Sequence, residues 1–176
     1  MSDLGQKIII LGCPGSGKTT LSLFLGERLE IPVVHLDKIF WKSGWVESSK
    51  SEFDEKLSVE LKKERFIIDG NYIRTLKTRV LASDTAIYID FHSPICIFRV
   101  LKRIKKASGT TRADMGENCP ERFDPEFMKY ILDFNKKQRK KIYLILKESK
   151  KNFIVLKTPS AVKAFKKSIA LLSPVE

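Results

Sequence analysis

Residues 7–19 (Lys7-Ile8-Ile9-Ile10-Leu11-Gly12-Cys13-Pro14-Gly15-Ser16-Gly17-Lys18-Thr19) contain the pattern that decides the fold. The apolar, β-branched run before Gly12 is typical of a strand that is buried on both faces. Gly12–Thr19 then matches the pattern GxxxxGK[ST] at every specified position. Glycines let successive backbone N–H groups turn inward and form an anion-binding nest at the start of a helix. The stretch therefore predicts a phosphate-binding loop (P-loop) between a strand and a helix.

The P-loop assigns a nucleotide-binding role to its residues. The Lys18 ammonium can reach the β- and γ-phosphates, and the Thr19 hydroxyl can ligate Mg²⁺. We expect ATP and Mg²⁺ as cofactors. The predicted nucleotide-binding residues are Gly12, Pro14, Gly15, Ser16, Gly17, Lys18, Thr19 and Thr20.

Strand-like and helix-like segments alternate along the rest of the chain. Short apolar runs predict strands at 7–11, 33–36, 66–68, 85–89 and 153–156. Helical spacing or N-capping residues predict helices at 17–29, from about 49, at 72–82, at 93–106 and, as one long basic helix, from 124. This alternation favours a layered α/β domain with parallel strands. No repeat or long linker divides residues 1–176, so we expect a single domain with a helical insert at about 38–64.

Carboxylates follow several of the predicted strands, at the edge where open α/β sheets bind ligands. Asp37 can orient an acceptor hydroxyl or act as its base, or it can simply cap a helix. Asp69 can support Mg²⁺ or hold a substrate group, or it can lie in a solvated turn; Asp90 is its rival for the metal. Trp41 and Trp45 flank a glycine turn, and either stack on an acceptor ring or pack the insert.

Five arginines are candidates to contact a transferring phosphoryl group: Arg99, Arg103, Arg112, Arg122 and Arg139. The first two are four residues apart and share a helix face that leads into the predicted loop 107–123. A guanidinium offers bidentate donors and delocalised charge, which suit a phosphoryl group. Any single one of the five is equally well explained as a solvated cation.

The chain is basic, with 33 Lys and Arg against 21 Asp and Glu and a net charge of +12. Nine basic residues and only two acids, Asp133 and Glu148, fall within 129–151. Three interpretations stay open: solvated helix faces, a phosphate-neutralising pocket, or a weak nucleic-acid-binding surface. Charge alone does not separate them.

Composition excludes other classes of protein. The 176 residues are 43% hydrophobic, which excludes a disordered chain, and no apolar run approaches the roughly 20 residues of a membrane span. Met1–Gln6 carries no signal-like segment. Cys13, Cys96 and Cys119 form no metal-binding pattern, so we expect a cytoplasmic protein.

Beyond the P-loop, the chain resembles the adenylate-kinase-like P-loop kinases, and within them the small DNA topology modulation or adenylate-kinase-related proteins. The resemblance rests on the P-loop, His35-Leu36-Asp37, Trp41, Trp45, 68–72, Asp84, Arg99, Arg103 and Arg112-Ala113-Asp114-Met115. It implies a three-layer α/β/α P-loop NTPase fold with a five-stranded parallel sheet in the order 2-3-1-4-5. It also implies an acceptor-binding insert at about 38–64 and an arginine-bearing lid at about 104–140.

The predicted activity is transfer of the γ-phosphoryl group of Mg·ATP to a small acceptor. The predicted catalytic residues are Lys18, Asp37, Arg103 and Arg112; the substrate-binding residues are Asp37, Trp41, Asp69, Asn71 and Arg74; the metal-binding residues are Thr19 and Asp69. Two alternatives stay open: a nucleotide-gated DNA-binding protein that modulates DNA topology, and a nucleotide binder without turnover.

Overall fold

A parallel five-stranded sheet forms the centre of the computed structural model, which describes residues 4–171. Its strands are β1 (Lys7–Gly12), β2 (Val33–His35), β5 (Phe66–Asp69), β6 (Thr85–Ile89) and β7 (Asn152–Leu156). The spatial order β2-β5-β1-β6-β7 is 2-3-1-4-5 when only these strands are counted, so the predicted order is confirmed. The central strand β1 carries the most apolar run of the chain, and its isoleucines are fully buried.

Eight helices accompany the sheet within the described residues. They are α1 (Lys18–Leu29), α2 (Leu36–Phe40), α3 (Lys50–Leu61), α4 (Ile73–Ala82), α5 (Ser93–Ala107), α6 (Pro125–Lys137), α7 (Arg139–Glu148) and α8 (Pro159–Ala170). Helix α1 packs with α8, whereas α3, α4, α7, α6 and α5 form a second packed series, which gives the three layers. No helix in the described range 4–171 has the length and apolar character required to cross a bilayer.

The predicted helical insert contains a β-hairpin that sequence analysis did not anticipate. Strands β3 (Trp41–Lys42) and β4 (Val46–Glu47) pair antiparallel before α3 begins. Gly44 and Trp45, both with positive φ, make the turn, and two-residue strands are too short to give an alternating pattern. The capping box of Ser49 and Glu52 that starts α3 is present as predicted.

Two boundaries also differ from prediction. Strand β2 ends at His35, so Asp37 lies in the first turn of the short helix α2 and not at a strand end. The predicted long basic helix is divided at Gln138 into α6 and α7. The chain bends there, which lets Phe134 of α6 and Ile142 of α7 both reach the core.

Candidate active site

The P-loop adopts a conformation that depends on its glycines. Gly15 and Gly17 have φ values of 85° and 100°, in the region that side chains rarely adopt. A Cβ atom on Gly15 would lie 2.5 Å from the carbonyl oxygen of Cys96 in α5. The loop therefore packs directly on α5, and Lys18 opens α1 with its Nζ donating to the Cys13 carbonyl at 3.4 Å.

Asn71 holds the first glycine of the P-loop. Its amide Nδ2 donates to the Gly12 carbonyl at 2.8 Å, and its Oδ1 accepts from the Gly12 N–H at 3.1 Å. Both bonds are buried. Asn71 was predicted to bind substrate. Both the oxygen and the nitrogen of its amide are hydrogen-bonded to the backbone of Gly12, so Asn71 positions the P-loop.

A cavity of about 1020 Å³ opens beside the P-loop. Most of the predicted site residues line it: Pro14, Gly15, Gly17, Lys18, Thr19, Thr20, Asp37, Trp41, Asp69, Asn71, Arg103 and Arg112. Gly12 and Ser16 lie behind this surface, within the P-loop. The fold thus brings predicted site residues together from five separate segments of the chain.

Arg74 is a predicted site residue that the structure places elsewhere. Its guanidinium makes two hydrogen bonds of 2.7 Å to the carboxylate of Asp54 on α3. Both side chains are about half exposed, and neither belongs to the described residues that line the cavity. The expectation that Arg74 contacts an acceptor is therefore corrected: on α4 its side chain points to the α3 surface.

Asp69 lies at the end of β5 and is engaged from two sides. Its Oδ2 accepts from Ser22 Oγ of α1, and His35 Nδ1 lies 3.0 Å from the same atom. Burial lowers the pKa of His35, but the hydrogen bond and charge of Asp69 outweigh it, so the pKa is raised overall. His35 therefore supports Asp69 and is more than a core residue.

Asp114 is a carboxylate to which sequence analysis assigned no role. It is buried in residues 108–124, hereafter the lid loop, and its Oδ2 accepts from Thr19 Oγ1 at 2.8 Å and from Arg112 at 2.9 Å. The available signal was its place in the run Arg112-Ala113-Asp114-Met115, where only the arginine was considered. The structure thus puts a second carboxylate beside the P-loop threonine.

Glu121, also buried and also missed, organises the lid arginines. Its Oε2 lies 3.1 Å from Arg103 Nε and its Oε1 lies 2.8 Å from Arg112 Nε. Arg99 donates to the Ser16 carbonyl at 3.1 Å and stacks on Phe91. Arg99, Arg103 and Arg112 all line the cavity on the side of Lys18, so cations surround the position for phosphates.

Asp90, the other candidate for metal binding, contacts side chains of α7. Arg139 donates to its Oδ2 through two nitrogens at 3.0 and 2.7 Å, and the Tyr143 hydroxyl donates at 2.9 Å. Neither Asp90 nor Arg139 is among the described cavity residues. These contacts tie α7 to the end of β6, outside the cavity beside the P-loop.

Asp37 and Tyr72 both line the cavity and contact each other. The Tyr72 hydroxyl donates to Asp37 Oδ1 at 2.7 Å. Burial raises the pKa of Asp37, while the Tyr72 hydrogen bond and the charge of Lys18 oppose that rise. Among the described residues, no donor occupies Oδ2, so this oxygen is available to a ligand.

The side chain of Arg79 stabilises the segment that carries Asn71 and Tyr72. This side chain is fully buried, and its guanidinium donates to the carbonyls of Gly70 (2.9 Å), Asn71 and Tyr72 (3.1 Å). Tyr72 has a φ of 28°, which is strained for a side-chain-bearing residue. Burial lowers the pKa of Arg79 to about 9, still above neutrality, so its cation fixes a strained turn through backbone oxygens.

The lid loop is seated on the β3–β4 hairpin. Gly44 N–H donates to the Glu117 carbonyl at 3.2 Å, and Trp45 N–H donates to Cys119 Sγ at 3.3 Å. A Cβ atom on Gly116 would lie 2.1 Å from the Trp41 carbonyl oxygen. These contacts form a seam that joins the arginine-bearing loop to the hairpin.

The comparison with known proteins fits this architecture. The sequence profile of a family described as an AAA domain (AAA_18) matches residues 8–129, which cover the P-loop and most of the lid. The chain belongs to this AAA domain family. No match was found among curated proteins.

Solved structures that resemble this AAA domain include two shikimate kinases. One, from Bacteroides thetaiotaomicron, is 16% identical, with 93% of this chain and 98% of that chain covered and a TM-score of 0.54. The other, from Acinetobacter baumannii in complex with shikimate, is 15% identical, with 95% and 92% covered and a TM-score of 0.62. At this identity the likeness establishes that the AAA domain has a P-loop kinase fold.

The residues around Thr19 fit the chemistry of Mg²⁺. The ion prefers oxygen ligands, and the Thr19 hydroxyl and the Asp114 carboxylate converge within 2.8 Å of each other, with Asp69 on the same cavity wall. No described group of three or more His, Cys, Asp or Glu residues forms an all-protein metal cage. Mg²⁺ usually binds through one or two carboxylates together with substrate phosphates, and Thr19 with Asp114 offers a donor set of that kind.

Proposed function

We propose that this AAA domain is an ATP-dependent kinase that transfers the γ-phosphoryl group of Mg·ATP to a hydroxyl group of a small acceptor. One arrangement carries the proposal: Lys18, Arg103 and Arg112 share a cavity with Asp37, a carboxylate that has one free oxygen. Family membership and the P-loop kinase fold support it. So does the resemblance to adenylate-kinase-like proteins.

In this proposal the P-loop and Lys18 hold the triphosphate. Thr19 and Asp114 would hold Mg²⁺, with Asp69 supporting it through water. When bound, the ion neutralises charge on the β- and γ-phosphates. Arg99, Arg103 and Arg112 would contact the phosphates. Arg103 and Arg112 would then exchange their carboxylate partners Glu121 and Asp114 for phosphate oxygens.

Asp37 would bind and deprotonate the acceptor. Its Oδ2 accepts the hydroxyl hydrogen, the acceptor oxygen forms a bond to the γ-phosphorus, and the bond from that phosphorus to the β–γ bridging oxygen breaks. The proton stays on Asp37, and ADP leaves with the electron pair. Positioning and preorganised positive charge account for the acceleration, because phosphoryl transfer needs no covalent enzyme intermediate.

The decisive test is an assay of ATP-dependent phosphorylation with a pool of small hydroxyl compounds. Lys18→Ala should abolish transfer while the circular-dichroism spectrum and melting temperature stay unchanged. Lys62→Ala, which removes an exposed cation after α3, is the matched control and should behave as wild type. Transfer at the wild-type rate by Lys18→Ala would refute the assignment.

A weak nucleic-acid-binding role is a second candidate, supported by the lysines of α6, α7 and the residues directly after α7. Lys129, Lys136, Lys140, Lys141, Lys147, Lys150 and Lys151 are all exposed. DNA affinity that falls steeply with salt and responds to ATP would favour this role. A DNA affinity that does not respond to ATP would favour the kinase.

The three cysteines are free thiols, which supports a reducing, cytoplasmic setting for either role.

A further inference from the structure

The part of the cavity beside the β3–β4 hairpin, here called the acceptor end, has an aromatic wall. The wall consists of four cavity-lining residues that are joined by ring contacts: Phe40, Trp41, Trp45 and Tyr72. The ring centroids of Phe40 and Trp41 are 4.8 Å apart, those of Phe40 and Tyr72 are 5.0 Å apart, and those of Trp41 and Trp45 are 5.2 Å apart. A continuous wall of ring faces and edges suits a ligand with a flat ring.

The charge at the acceptor end is opposite to that at the P-loop. Three carboxylates line it, those of Asp37, Glu47 and Asp124, against the cation of Arg122 among the described residues. Arg122 stacks its guanidinium on Trp45 with 5.3 Å to the ring centroid. The P-loop end, by contrast, collects Lys18, Arg99, Arg103 and Arg112.

Cations close to the acceptor end are already committed to other carboxylates. Lys42 of the hairpin pairs with Glu52 at 2.7 Å, and Arg74 of α4 pairs with Asp54 at 2.7 Å. Neither Lys42 nor Arg74 is among the described residues that line the cavity. Lys18 and Arg112 act on Asp37 from the P-loop side. An anionic group on the hairpin side of Asp37 would meet Asp37, Glu47 and Asp124 with Arg122 as the stacked cation, which opposes its binding.

We propose that the acceptor is an uncharged alcohol with a flat ring, chemically of the nucleoside class, and that the site rejects phosphate- or carboxylate-bearing acceptors. This inference rests on the proposed kinase function. The ring stacks in the aromatic wall and one hydroxyl reaches Asp37 Oδ2. The negative charge that transfer creates lies on the side of Lys18 and the lid arginines.

The two tryptophans of the chain, Trp41 and Trp45, both belong to the aromatic wall, so they report directly on binding there. The test is a fluorescence titration of the full chain with a non-hydrolysable ATP analogue and Mg²⁺ at saturation, which fills the nucleotide site. Adenosine, guanosine, cytidine and uridine are compared with their 5′-monophosphates and with shikimate. We expect at least one nucleoside to bind about 10-fold or more tightly than its monophosphate, a difference that one or two repulsive contacts can produce.

Reversing one charge at the acceptor end tests the electrostatic cause. Glu47→Lys should tighten monophosphate binding several-fold and leave nucleoside binding nearly unchanged. Glu55→Lys makes the same charge change on α3, away from the cavity, and should alter neither. Equal effects of the two variants would show that only net charge matters and would overturn the proposal.

Two further results with the wild-type protein overturn the proposal. In one, a monophosphate or shikimate binds more tightly than the nucleosides. In the other, no nucleoside quenches the tryptophan fluorescence. These outcomes leave the kinase function standing if calorimetry detects binding of Mg·ATP and a phosphoryl acceptor is found. A chain that binds no Mg·ATP fails the proposed function first. The two failures are therefore distinguishable.

Discussion

Thr19 of the P-loop donates its hydroxyl hydrogen to Asp114 of the lid loop at 2.8 Å, although 95 residues separate them in the chain. The same carboxylate oxygen accepts from Arg112. A single side chain thus links the first turn of α1 to the segment that carries Arg112. In the proposed function, the position of the lid loop and the completeness of the metal site would both depend on this carboxylate.

Asp114→Asn should raise the Mg²⁺ concentration needed for half-maximal phosphoryl transfer by about 10-fold or more, because an amide is a weaker partner for the ion and its waters. The measurement is a magnesium titration of the initial rate at fixed ATP. Glu117→Gln, an exposed change in the same loop, is the control. An unchanged magnesium requirement in Asp114→Asn would exclude Asp114 from the metal site.

The pH dependence of the reaction should report Asp37. Burial raises the pKa of this carboxyl, and activity needs its ionised form, so the rate should fall as the pH decreases through that raised value. Tyr72→Phe removes a hydrogen bond to the ionised form, which raises the pKa further and moves the acid limb of the kcat profile to higher pH. Asp37→Asn should lower kcat by about 10²–10⁴-fold.

If the acid limb of the pH profile of kcat did not move in Tyr72→Phe, that result would contradict the role of Asp37 as the base. Tyr130→Phe serves as the comparison, since it removes another hydroxyl from the cavity wall. It should leave the limb close to its wild-type position.

Arg79→Lys should destabilise the fold, because one ammonium group does not reach the carbonyls of Gly70, Asn71 and Tyr72 together. We expect a loss of about 2–5 kcal/mol in the free energy of unfolding, since each buried acceptor left unpaired costs about 1–3 kcal/mol. Urea denaturation monitored by circular dichroism measures it. Arg74→Lys, an exposed change on the same helix, should cost much less, and equal losses would contradict the structure.

Gly116→Ala should prevent the lid loop from seating on the hairpin, because the new Cβ would lie 2.1 Å from the Trp41 carbonyl oxygen. We expect kcat to fall at least about 10-fold with little change in Mg·ATP affinity. Gly109→Ala is the control: it meets no atom within 4 Å, and its φ of 77° costs only about 1 kcal/mol of stability. A kcat that falls equally in both variants would argue against the seam.

Local patterns predicted the parts of this molecule whose residues are consecutive in sequence. The buried run of β1, the P-loop and the capped start of α3 each lie within a dozen residues, so their spacing is visible in the chain. The strand order followed from the resemblance and is confirmed. The hairpin was missed because two-residue strands leave no periodicity.

The unpredicted parts of the site arise from long-range contacts between polar side chains. Asp114 and Glu121 lie in a loop without periodic pattern, and their roles depend on partners 95 and 18 residues away. Arg74 was predicted to contact substrate from the resemblance to adenylate kinases, in which an acceptor-binding arginine follows the corresponding Asp-Gly. Only the packing of α3 beside α4 gives it Asp54 as a partner. The residues that neighbour these side chains in sequence do not indicate such pairs.

The seam between the lid loop and the hairpin bears on hydrolysis by water. In P-loop enzymes a bound triphosphate is exposed to hydrolysis whenever its phosphate-binding arginines are in place without an acceptor. Here the backbone hydrogen bond from Gly44 to Glu117 ties the arginine-bearing loop to the wall that would hold the acceptor. The seam is formed without any ligand, and Arg103 and Arg112 are then held by Glu121 and Asp114. In the proposed kinase these ion pairs would keep the arginines from promoting wasteful hydrolysis of ATP before an acceptor binds.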